Sequence, residues 1–89
     1  METITHPTLV QLVAAGAVRV VVAVGQPSGW TLLVRYGLAE RALAAQRSKQ
    51  IRVFRKLDTL VLYLQQIGVS RFEVDAVGFM ATTRSLKGV

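Results

Sequence analysis

A chain of 89 residues is long enough for one domain and too short to house a second hydrophobic core. Hydrophobic residues make up 52% of the sequence and charged residues 18%, a composition that excludes intrinsic disorder. The chain has no cysteine and a single histidine, His6, which excludes disulfide bonds, thiolate zinc sites and thiol nucleophiles. We therefore expect one small non-enzymatic domain that holds no cofactor or metal.

The net charge of +6 favours anionic partners such as nucleic acid, an acidic protein segment or a lipid surface. A signal peptide is not expected, because Glu2 stands where a basic region would be needed and Pro7 precedes the first apolar stretch. That stretch, residues 9–24, is interrupted by Gln11, Gly16 and Arg19 and falls short of a membrane span. These features predict a cytoplasmic protein without a membrane partner.

The N-terminal half predicts a short helix followed by a β-hairpin. Thr8 can cap the helix and Gly16 can end it, with apolar side chains at Leu9, Val10, Leu12 and Val13. Residues 17–24 form the first predicted strand, in which the side chains of Val18, Val20, Val22 and Val24 point one way. Residues 25–29 (GQPSG) predict a turn, and the alternation resumes over residues 30–36.

Residues 38–47 are rich in residues that favour helix, such as Ala, Glu and Arg. We nevertheless predict a strand here, since Gly37 can supply a tight turn and a two-stranded hairpin needs a further strand or a helix for stability. From Leu57 the apolar period becomes helical and Gly68 ends the helix, with Asp58 at the positive end of the helix dipole. Residues 72–76 alternate again and predict a last strand.

The predicted order α-β-β-β-α-β indicates an α+β fold, with an antiparallel meander sheet and both helices packed on one face. The opposite face is expected to be partly solvated. We place the domain at residues 1–78 and expect residues 79–89 to form a flexible basic tail. Five aromatic side chains are expected in the core or on a sheet face, namely Trp30, Tyr36, Phe54, Tyr63 and Phe72.

Candidate reactive groups are few. Glu73 and Asp75 share a face of the last predicted strand and could bind a cation, but Arg71 lies on the same face and a solvated strand face is the simpler interpretation. Ser28 lies in a glycine-containing loop, yet neither a lysine at the spacing of a phosphate-binding loop nor a helix follows it. No catalytic, cofactor or metal residue is therefore predicted.

One segment concentrates positive charge. No acidic residue occurs between Glu40 and Asp58, and Ile51, Val53 and Phe54 alternate with cations and can anchor the segment to the domain. Such an arrangement suits phosphates or an acidic peptide, while an ordinary solubilising loop is the alternative. The candidate anion or nucleic-acid contacts are Arg47, Lys49, Arg52, Arg55 and Lys56.

A series of short sequence blocks occurs in a fixed order over roughly residues 9–77. These blocks are residues 10–19 (VQLVAAGAVR), 25–30 (GQPSGW), 34–37 (VRYG), 40–41 (ER), 43–48 (LAAQRS), 53–57 (VFRKL), Gly68 and 71–76 (RFEVDA). In these blocks the sequence resembles the bacterial ParC family of plasmid partition-associated proteins, which is unrelated to the topoisomerase subunit of the same name.

The resemblance implies a small maintenance factor of plasmids and integrated elements, and it implies no catalytic residues. Some similar proteins end in an acidic segment that resembles an antitoxin, whereas this sequence ends with Arg84 and Lys87. We expect a protein-interaction module of plasmid partition or maintenance, which could act as a homodimer through a sheet edge or sheet face. The alternative is a basic protein that contacts nucleic-acid phosphates, such as those of DNA, through residues 47–56.

Overall fold

The computed structural model describes residues 1–80, which fold into one mixed five-stranded sheet and two helices. This confirms the predicted α+β class. In chain order the elements are β1 (Thr3–Thr5), α1 (His6–Ala14), β2 (Val18–Gln26), β3 (Gly29–Tyr36), β4 (Ala39–Ala44), α2 (Leu57–Gln66) and β5 (Glu73–Asp75).

The sheet has the order β1-β4-β3-β2-β5, so its centre is the predicted meander β2-β3-β4. The prediction of a purely antiparallel sheet is wrong at both edges, because β1 pairs parallel with β4 and β5 pairs parallel with β2. The stretch Thr3–Thr5 was not predicted as a strand, and it brings Ile4 into the core opposite Leu43.

Helix α1 begins at His6 with Thr5 as its N-cap, so the prediction of Thr8 as the cap is wrong. Pro7 lies in the first turn, where its missing N–H costs no intrahelical hydrogen bond and its fixed φ favours the helix. The helix ends before Gly16, which has φ of +70°. The helix therefore follows β1 without a break, and its Leu9 side chain is almost completely buried.

A bulge in β2 changes the predicted facing of its first residue. Val18 pairs with Tyr36, but the next aligned pair is Val20 with Arg35, so the register shifts between them. Val18 therefore packs against the helical side of the sheet, with Val21, while Val20 points to the other side.

The hydrophobic core lies between the sheet and the two helices. Trp30, Phe54 and Tyr63 are buried in it, and Tyr36 and Phe72 are half-buried against it, as expected. The remaining buried residues of this core are Ile4, Leu9, Val21, Ala23, Leu32, Val34, Leu43, Leu60 and Leu64. No helix within residues 1–80 is long and apolar enough to cross a membrane.

The packed part of the chain reaches at least Phe79, beyond the boundary expected at residue 78. The Phe79 ring stacks on Trp30 with 4.7 Å between ring centroids, and the Phe79 N–H donates a 3.0 Å hydrogen bond to the Ala76 carbonyl. Met80 is exposed, and the rest of the expected tail, residues 81–89, lies outside the described residues.

Candidate interaction surfaces

The segment that carries the five predicted cations closes one end of the sheet, between the end of β4 and the start of α2. A turn at residues 45–50 is held by two backbone hydrogen bonds, from the Ala45 N–H to the Gln50 carbonyl at 2.8 Å and from the Lys49 N–H to the Ala45 carbonyl at 2.9 Å. Lys49 adopts φ of +64°, a conformation that tight turns use. Arg47 and Lys49 are exposed in this turn.

After the turn the chain becomes extended and completes the sheet. Ile51 forms an antiparallel bridge with Ala44, and Phe54 forms one with Trp30. The Trp30 N–H donates to the Phe54 carbonyl and the Phe54 N–H donates to the Trp30 carbonyl, both at 2.7 Å. Because Phe54 is also 3% exposed, it anchors the segment as predicted, whereas Ile51 and Val53 remain 43% and 45% exposed.

Extended geometry places neighbouring residues of this segment on opposite sides of the sheet. Phe54 is on the helical side with Trp30, and Arg52 is on the same side, with its guanidinium carbon 4.5 Å from the centre of the Phe54 ring. Ile51 and Val53 line a groove on the other side. The segment therefore presents the charge of Arg52 on one side and the apolar groups of Ile51 and Val53 on the other.

Arg52 packs against aromatic side chains, a contact that the sequence did not reveal. Its guanidinium carbon is also 5.1 Å from the centre of the Tyr63 ring, and a 2.8 Å hydrogen bond joins Tyr63 Oη to His6 Nδ1. Burial raises the pKa of the Tyr63 phenol, while the positive charge of Arg52 acts in the opposite direction. The two rings fix the guanidinium in place and leave its charge in solvent.

The five predicted cations fall into two groups. Arg47 and Lys49 lie in the turn after β4, and the structure places Arg52, Arg55 and Lys56 on the approach to α2, with Lys56 as its N-cap. All five are exposed. Within residues 1–80 the ion pairs are Arg35–Glu40 at 2.6 Å and Arg41–Glu2 at 2.5 Å, and neither uses any of the five.

The sheet face opposite the helices is partly solvated, as predicted, since it bears the exposed ion pair of Arg35 and Glu40, and beside that pair it has an apolar row. We call this side the open face. Cross-strand partners share a face, and the open face has the row Ala42, Leu33 and Val22 across β4, β3 and β2. Val22 and Ala42 are buried even though both helices pack on the other side. A groove of about 500 Å³ lies here, lined by Met1, Val24, Gln26, Ser28, Thr31, Leu32, Leu33, Ala42, Ile51 and Val53.

Glu73 and Asp75 lie at one margin of the open face. Their strand partners are Val22 and Val24, so both acidic side chains are on the same side as these valines. Both are exposed, and neither takes part in an ion pair within the described part of the chain. Arg71, which was expected to share their face, lies before β5 begins.

Comparison with known proteins identifies one family. A family model described as ParC-like matches residues 4–83, which is most of the chain. No curated protein and no solved structure matches this sequence.

Proposed function

This chain belongs to the ParC-like family, and we propose that it is a non-enzymatic protein-interaction module of plasmid partition or maintenance that acts as a homodimer. Membership of this family supports a role in plasmid partition or maintenance. The main observation in favour of self-association is the open face. This face has an apolar groove, and both helices pack on the other side of the sheet.

A second copy of the chain is the occupant that best fits this face. A face of five strands spaced about 4.8 Å apart and roughly six residues long has a projected area of about 480 Å². Two copies together then contribute about 1,000 Å², and accessible area exceeds projected area, so the contact reaches the size of a specific interface. Two sheet faces can pack about 10 Å apart with interdigitated side chains.

Charge also favours self-association. Asp75 pairs with Val24 near the end of β2, which is the same end of the sheet as the turn with Arg47 and Lys49 after β4. The acidic and basic groups lie on opposite sides of the apolar centre, since β5 is at one edge and β4 is next to the other. A two-fold axis parallel to the strands therefore brings the acidic margin of each copy towards the basic margin of the other.

The test compares two glutamate substitutions by sedimentation equilibrium. Val53→Glu places a charge beside the groove, while Leu62→Glu is a matched control, because Leu62 is 59% exposed on α2 and does not line the groove. We expect the parent and Leu62→Glu to be dimers and Val53→Glu to be a monomer with unchanged circular dichroism. The dimer should persist at high salt, since apolar burial contributes most of its stability.

A monomeric parent, or equal effects of the two substitutions, would show that the open face is not a dimer interface. The process is tested separately by the segregational loss of a plasmid that encodes each variant. We expect the plasmid that encodes Val53→Glu to be lost faster than the plasmid that encodes Leu62→Glu. If a plasmid that lacks the gene is retained as well as the plasmid that encodes the parent protein, the protein has no maintenance role.

A further inference from the structure

We propose that Arg52, Arg55 and Lys56 form a binding surface for the phosphate backbone of double-stranded DNA. We call these three residues the cationic cluster. The cluster lies where the chain approaches α2, away from the groove of the open face, so DNA binding by the cluster does not depend on dimerisation.

The three charges of the cluster are free to bind. All three side chains are exposed, and no ion pair among residues 1–80 includes them. The nearest acidic residue along the chain is Asp58, which lies in the first turn of α2 and forms no ion pair with any other described residue. Three such exposed cations within residues 52–56, at the start of a helix, are typical of a segment that binds phosphates.

Arg52 is already ordered before any ligand binds. Its guanidinium is stacked over Phe54 and Tyr63, at 4.5 and 5.1 Å from the ring centres. Most exposed arginines lose side-chain freedom when they bind a phosphate, and stacking on the rings removes part of that entropy in advance. The planar guanidinium keeps N–H groups at its edge that can donate to phosphate oxygens.

The same stacking favours duplex DNA over a single strand or an acidic peptide. Single-strand binding uses exposed aromatic faces on which bases stack, but Phe54 is 3% and Tyr63 8% exposed, and Arg52 covers their rings. Peptide recognition needs pockets for side chains, and the apolar groove beside this segment is on the opposite side of the sheet. A duplex supplies about one phosphate per 1.7 Å of axis, which suits separate cations without a pocket.

The test measures binding to a labelled duplex of arbitrary sequence by fluorescence anisotropy at several salt concentrations. The triple variant Arg52→Ser, Arg55→Ser, Lys56→Ser is compared with the control Arg19→Ser, Arg35→Ser, Arg71→Ser. Both sets replace three exposed arginine or lysine residues and reduce the net charge equally.

Each phosphate contact contributes about 0.9 to the slope of log K against log salt concentration. The slope for the cluster variant should therefore be smaller by about 2.7, which corresponds to a roughly 500-fold loss of affinity at about 0.1 M salt if the two proteins bind equally at about 1 M. The control should keep its slope. The double variant Arg55→Ser, Lys56→Ser retains the stacked Arg52, and its slope should be smaller than that of the parent by about 1.8. This variant keeps the test valid if the triple variant does not fold.

Four results would overturn the proposal: a parent that does not bind duplex DNA, equal losses in the cluster and control variants, tighter binding of a single strand of the same length, and tighter binding of polyglutamate than of a duplex of equal charge. The last result would indicate an acidic protein partner.

Discussion

Replacing Gly29 by alanine should disrupt the anchor of the segment that bears the cations. Gly29 has φ of +148°, a conformation that costs a residue with a side chain about 1–3 kcal/mol. An alanine Cβ there would also collide with the Phe54 carbonyl oxygen, which accepts the 2.7 Å hydrogen bond from the Trp30 N–H. Separating these atoms breaks the bridge of two hydrogen bonds between Trp30 and Phe54, at about 0.5–1.5 kcal/mol each.

The expected loss in the free energy of unfolding is therefore about 2–6 kcal/mol, with strain and hydrogen bonds contributing comparable amounts. Urea denaturation followed by fluorescence of the single tryptophan measures it directly. Gly37→Ala is the control, since Gly37 has φ of +56° but a methyl group at its Cα would point into open space, so only about 1–2 kcal/mol of backbone strain is expected. If Gly29→Ala costs no more than Gly37→Ala, the close approach of Phe54 does not contribute to stability.

Two further predictions concern buried residues of α2. Leu64→Ala removes a side chain that is 0% exposed and should destabilise the protein by about 2–5 kcal/mol in the same assay, while a loss below about 1 kcal/mol would contradict its central position. Burial raises the pKa of Tyr63 above its ordinary 10.0, so the unfolded chain ionises first as pH rises. Stability attributable to this phenol is complete below about pH 10 and is lost as pH rises through the folded-state pKa. Tyr63→Phe should abolish that part of the alkaline loss, Tyr36→Phe serves as the control, and identical pH profiles for the parent and Tyr63→Phe would refute the assignment.

Local sequence patterns predicted the central elements because each has a strong signal of its own. The alternation in residues 30–36 and the helical period after Leu57 match β3 and α2. The prediction of a strand over 38–47 was confirmed as β4 despite its helix-favouring residues, because pairing with β3 outweighs intrinsic propensity. Pattern alone could not reveal β1, whose three residues are ordered by long-range parallel pairing with β4.

The surfaces were only partly predictable for the same reason. Charge segregation identified the five cations, and the alternating apolar residues correctly indicated an anchor at Phe54. The division of the cations into a turn and a cluster depends on the bridges to Ala44 and Trp30, which join residues distant in sequence. The open face did leave a signal in β2, because the nearly continuous run of valines is typical of a strand with two apolar faces.

The positions of the two proposed surfaces constrain how they could act together. Arg52 lies on the helical side of the sheet, and the groove lies on the other. A dimer formed through the open face would therefore hold its two copies of Arg52 on opposite outer sides, separated by both sheets. Such an arrangement cannot clasp one duplex segment between the two arginines, but it can join two segments. Dimerisation would then change the number of DNA segments held by one particle while leaving the salt dependence of each contact unchanged, because no cluster residue lines the groove.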